Sequence, residues 1–124
     1  MIVIDAHEDI AYNALRFGRD YRRSAYEIRH VEGGTSENGI ATVGLPNALL
    51  GRVAITFSTL FVAPKGSPGM LEDSPTYETP RQAYDLAIKQ LDYYQRLADE
   101  TDKIRLIFTR ADLDAVLATW ADGV

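Results

Sequence analysis

Residues Ile2, Val3 and Ile4 are β-branched and apolar in succession, so however the chain pleats, both faces of the segment are apolar. A strand of that kind suits a place buried on both sides, as in a parallel sheet covered by helices. The run then delivers Asp5, His7, Glu8 and Asp9 to one point before turning apolar again at Ile10. Charged groups are costly to gather unless they pair, stay in water or hold a metal.

The rest of the chain continues the strand–helix pattern. A short helical turn fits Ile10 to Phe17, with Ile10, Asn13, Ala14 and Phe17 at helical spacing. Arg19 to Gly44 is polar, rich in Gly, Ser, Thr and Asn and weakly periodic, and reads as a long loop of the kind that tends to be functional. Val53 to Val62 is the clearest strand, rich in β-branched and aromatic residues, and Pro64 ends it. Ala63 to Tyr77, with its prolines and glycines, reads as a second loop.

Thr79-Pro80-Arg81-Gln82 supplies a hydroxyl N-cap, a proline at the first helical position and a Gln three residues after the cap. Ala83, Ala87, Leu91, Tyr94 and Ala98 then form an apolar stripe. Ile104 to Phe108 reads as a short strand. Thr109 to Asp112 opens a last helix, with Leu113, Val116, Leu117 and Trp120 inward and Gly123 beyond its end. Strands alternating with helices imply a parallel α/β architecture. With no element after the last helix to cover the final strand, the sequence reads as the opening portion of a larger α/β fold. Residues 1–124 then form one partial domain with no separate second domain.

Composition narrows the partners. The 124 residues are 46% hydrophobic and 25% charged, the balance of a globular domain and not of a disordered chain. Thirteen Lys and Arg stand against 18 Asp and Glu, and the one basic stretch, Arg19 to Arg23, is interrupted by Asp20 and Tyr21, so nucleic acid is not an expected partner. The chain has no cysteine, which excludes disulfides and thiolate metal sites. The longest apolar run, Val53 to Ala63, is too short to span a bilayer. With no leader-like segment at the start, the expectation is a cytoplasmic protein without a membrane partner.

On an ideal strand Asp5, His7 and Asp9 point to one side and Glu8 to the other. His7 and Asp9, two apart at the C-terminal end of the strand, then reach the same point, and that end is where parallel α/β folds build their sites. Imidazole nitrogen with carboxylate oxygen suits Zn²⁺, and less selectively Mn²⁺, Fe²⁺ or Co²⁺. The alternative is that His7 and Asp9 pair with each other or with backbone, because H-x-D is a short pattern.

Ile2-Val3-Ile4-Asp5-Ala6-His7-Glu8-Asp9-Ile10 resembles the first strand of the membrane dipeptidase (renal dipeptidase) family, which begins with an apolar strand and D-G-H-x-D-[L/I]. Leu45-Pro46, with Leu50-Gly51-Arg52-Val53 leading into Phe57 and Ser58, is similar to the entry to that family's second strand. Ala6 stands where Gly is usual and Glu8 where Asn is usual, and neither is a ligand position. The resemblance implies the N-terminal portion of a metal-dependent-hydrolase (β/α)8 TIM-type barrel. It implies His7 and Asp9 as metal ligands, two Zn²⁺ ions in the complete enzyme, and a dipeptide or other small amide as substrate. A bridging Glu and further histidines would come from later strands. The implied reaction is hydrolysis of a dipeptide bond by a metal-bound hydroxide, and the 124-residue chain alone is expected to be inactive and to form a homo-oligomer.

Val31-Glu32-Gly33-Gly34 matches the sequence around that family's bridging Glu, but it precedes the second strand, so Glu32 and His30 read as surface residues. Asp5 either orients His7 or closes the strand-end loop. Glu8 reads as a solvent or salt-bridge residue. Arg19, Arg22 and Arg23 read as a charged surface loop before substrate-carboxylate binders, and Tyr93, Tyr94 and Trp120 as packing residues. Ser58, Ser67 and Ser74 lack triad partners, and no catalytic residue is assigned. Two other readings stand beside the dipeptidase: a non-catalytic α/β association module, and another barrel hydrolase, such as a phosphoesterase, with the same strand-end ligands.

Overall fold

The computed structural model describes residues 1–34 and 39–121. The predicted Gly123 helix stop lies outside them. Strand β1 (Val3–Glu8) is followed by helices α1 (Ile10–Phe17), α2 (Ala25–Val31) and α3 (Leu45–Leu50), then strand β2 (Val53–Ser58). Short strands β3 (Ala63–Pro64) and β4 (Thr76–Tyr77) precede helices α4 (Pro80–Glu100) and α5 (Arg110–Ala118). β1 pairs with β2 in parallel, and β3 with β4 in parallel. The described residues are thus mixed α/β, with two sheets of two strands each and no closed barrel among them.

The core lies where α1 and α4 meet. Ile10, Ala11, Tyr21, Leu45, Tyr94 and Leu97 form its buried cluster, with Ile104 and Leu106 packed against it. α4 begins as its sequence dictates: Thr79 accepts from the Gln82 amide, and the Gln82 side chain accepts from the Thr79 amide. Its buried residues are Gln90, Tyr94 and Leu97; of the predicted stripe Tyr94 is buried and Ala83, Ala87, Leu91 and Ala98 are half-buried, so the inward face is turned only part of the way from that stripe. Gln90 is buried because its amide pairs with both backbone groups of Phe61, at 2.8 and 2.5 Å.

Several segments differ from the sequence expectation. β2 ends at Ser58 and not at Val62, and Val3 and Ile4 are exposed, whereas the sequence predicts a strand covered on both faces. The loop from Arg19 to Gly44 contains α2, opened by a capping box in which Ser24 and Glu27 exchange hydrogen bonds. The loop from Ala63 to Tyr77 contains the β3–β4 pair. Residues 104–108 form no strand, because no described residue supplies a ladder to them. Among the described residues no helix is long and apolar enough to cross a membrane.

Candidate functional site

The C-terminal end of β1 is irregular, and the irregularity sorts its side chains. Asp5 lies opposite Thr56 and Glu8 opposite Ser58, so β1 spends one residue more than β2 over this step, a bulge. The bulge carries Glu8 to the Asp5 side of the sheet. There the two carboxyl groups hydrogen-bond, and burial followed by that contact pushes the Glu8 carboxyl up to about 7. Strict alternation had Asp5 grouped with His7 and Glu8 opposed; the pairs are instead Asp5 with Glu8 and His7 with Asp9. Asp5 does not orient the His7 ring. Its Oδ1 accepts from the His7 backbone N–H at 3.0 Å, which closes the strand-end turn.

His7 and Asp9 converge as expected. Nε2 of His7 lies 3.4 Å from Oδ2 of Asp9, with the side chains 71% and 37% exposed. That separation is longer than a hydrogen bond of about 2.9 Å. It matches the edge of a tetrahedron whose arms are about 2.0–2.1 Å, the zinc–nitrogen and zinc–oxygen distances. The donor set and its spacing therefore fit a divalent ion of the zinc type. Two donors are fewer than a hydrolytic zinc site normally uses, and among the described residues no group of three or more His, Cys, Asp or Glu is placed to hold a metal.

The other Asp9 oxygen is engaged: the Thr59 hydroxyl donates to Oδ1. The Asp9 carbonyl accepts from the Asn13 backbone N–H at 3.1 Å and from the Asn13 side-chain amide at 2.9 Å. Asn13 Oδ1 in turn accepts from Arg19 Nη1 at 2.9 Å. Arg19 also holds Glu32 in a two-point contact, Nε to Oε1 at 2.7 Å and Nη2 to Oε2 at 3.2 Å. With its side chain only 9% exposed, Arg19 is no surface residue, and Glu32, at 22%, is half-buried and not solvated. The guanidinium fork explains the correction, since a planar cation matches a carboxylate at two points and can be buried with it. His30 is exposed, as expected.

Arg22 is occupied by Asp20 and Glu100, each at 3.0 Å, and Arg23 is exposed. Tyr94 is buried and Tyr93 and Trp120 are half-buried, with Trp120 under the Arg52 guanidinium. Beside the strand end lies a cavity of about 310 Å³, lined by His7, Glu8, Asp9, Arg19, Tyr21 and Ile28 among others. Burial, with the Glu8 and Asp5 carboxyl groups nearby, pushes the Tyr21 phenol up to about 12, so it stays neutral. Sequence reasoning missed Thr59 as the partner of Asp9 Oδ1, because 50 residues of chain separate them, and missed Arg19, which is linked to Asp9 only through Asn13.

Fold and strand end together define an α/β chain with an imidazole–carboxylate pair at the C-terminal end of a parallel strand pair. No protein-family model, no curated protein and no solved structure matches the chain.

Proposed function

We propose that the chain is the N-terminal part of a divalent-metal-dependent hydrolase of TIM-barrel type that cleaves dipeptides or other small amides. The observation that carries this reading is the 3.4 Å approach of His7 Nε2 to Asp9 Oδ2 at the C-terminal end of β1. When bound there, a divalent ion supplies Lewis-acid polarisation of a carbonyl and acidifies water near neutral pH. His7 would supply a nitrogen donor to that ion and Asp9 an oxygen donor. The cavity beside them, walled by Tyr21 and Ile28, offers a substrate room next to those donors. Exposed apolar side chains on the sheet, Ile4 and Phe57 among them, favour the rival reading of an association module.

The two readings part on metal content. In the full-length protein, His7→Ala is expected to lower the bound zinc by about one ion per chain and to abolish dipeptide hydrolysis. The circular dichroism spectrum should not change, because the His7 side chain is exposed and packs no core. Elemental analysis with a dipeptide assay makes the measurement. Unchanged stoichiometry together with unchanged activity overturns the assignment.

A further inference from the structure

We propose that Thr59 is a positioning residue that holds the Asp9 carboxylate by Oδ1 and leaves Oδ2 facing His7. Asp9 occupies the N-cap position of α1, where an aspartate normally accepts from an amide in the first helical turn. It makes no such bond, and its backbone, at φ −92° and ψ 48°, is not in the extended conformation of the other capped helices. The carboxylate is turned outward instead, with Oδ1 taken by the Thr59 hydroxyl.

Thr59 is itself held in place. Its backbone N–H donates to the Glu8 carbonyl at 3.0 Å, which continues the β1–β2 ladder past Ser58. Its carbonyl accepts from the Tyr94 hydroxyl at 2.9 Å, and that hydroxyl accepts from the Ala11 amide at 3.1 Å. Two residues on, Gln90 grips both backbone groups of Phe61. Tyr94 and Gln90 are both buried on α4. The helix therefore fixes 59–61 from below, Thr59 fixes Asp9, and one carboxylate oxygen remains for His7 and whatever the pair binds. A ligand carboxylate held this way loses no rotamer freedom on binding, and outer partners of this kind typically change metal affinity 10–100-fold.

The consequence for metal binding rests on the proposed function; the clamp itself does not. Thr59→Val keeps the shape and removes the hydroxyl, while Thr59→Ser keeps the hydroxyl. Crystal structures of the metal-free full-length protein and both variants report the Asp9 rotamer, and zinc titration calorimetry reports affinity. Wild type and Thr59→Ser should share one Asp9 rotamer and one zinc affinity. Thr59→Val should show Asp9 turned or divided between rotamers and a zinc dissociation constant raised about 10-fold or more. An Asp9 rotamer unmoved in Thr59→Val overturns the proposal, whether or not zinc affinity falls. If Asp9 moves as expected and no form of the protein binds zinc, Thr59 keeps its role and the metal reading falls.

Discussion

A methyl group on Gly44 has no room. A Cβ there would stand 2.2 Å from the Arg23 carbonyl oxygen and 2.9 Å from the Ala25 nitrogen, both backbone atoms that no rotamer change can remove. The residue is extended, at φ −170°, so the constraint is steric and not conformational. It is the point where the starts of α2 and α3 touch, sealed by Asn47 Oδ1 accepting from the Ala25 amide at 2.8 Å. Gly44→Ala is expected to destabilise the fold by about 3 kcal/mol, at the upper end for overpacking, because two backbones must separate. A urea midpoint equal to that of wild type would show that the contact is not tight. At this scale the sequence disclosed some residues and hid others. His7 and Asp9 were legible because their spacing alone brings them together. The Asp5–Glu8 pair was not, since a bulge depends on the register with β2. Arg19 with Glu32 was not, since 13 residues of chain separate them and only the fold of α2 joins them.

Helix ends show how far local chemistry carries. The boxes at Thr79 and Thr109 are plain in the sequence, and both helices start where those residues stand. The same signature, Ser24 followed by Glu27, opens α2, but only Ala25 and Ile28 mark a buried face on its seven residues, too short a stripe to reveal a helix in the sequence. The strand expected at 104–108 fails for the opposite reason: Ile104 and Leu106 do pack inward, yet a strand is defined by a partner, which no local pattern supplies. α5 offers a test of its cap. Arg105 beside Asp112, then the Phe108 amide and the Thr109 groups, hold the Asp112 carboxyl down at about 2. A carboxyl whose folded pKa is depressed contributes stability that is fully present above its ordinary value of 3.8 and is lost as pH falls toward about 2. Asp112→Asn should therefore be less stable than wild type at pH 5, with the difference shrinking below pH 3.8. Thr109→Ala, which removes the other half of the box, should cost about 1 kcal/mol. Urea midpoints taken across the acid range check both. A difference for Asp112→Asn that stays constant from pH 5 down to about 2 would mean that the carboxylate charge has no part in the cap.

For the whole molecule, the 124-residue chain alone should associate with itself, bind zinc weakly and leave dipeptides intact. A sheet of two strands is marginal by itself and leaves an unpaired edge on each strand. Its register puts Ile4 opposite Ile55, with Phe57 two residues further along β2 on the same face. Ile4 and Phe57 are nonetheless exposed, and Phe108, in a segment that joins no strand among the described residues, is more exposed still. Apolar side chains left in water beside an open edge are what a second copy of the chain can cover. Ile4→Lys with Phe57→Lys should then shift the chain toward monomer in light scattering without altering α4, whose buried residues lie elsewhere. Zinc affinity should remain poor in either state, because His7 and Asp9 are two donors where hydrolytic zinc takes three and a water. A monodisperse monomer that hydrolyses dipeptide with added Zn²⁺ would mean that further donors join the pair. Glu32 would be the first to substitute, since it already lies at the end of the Arg19–Asn13 chain of contacts that leads to Asp9.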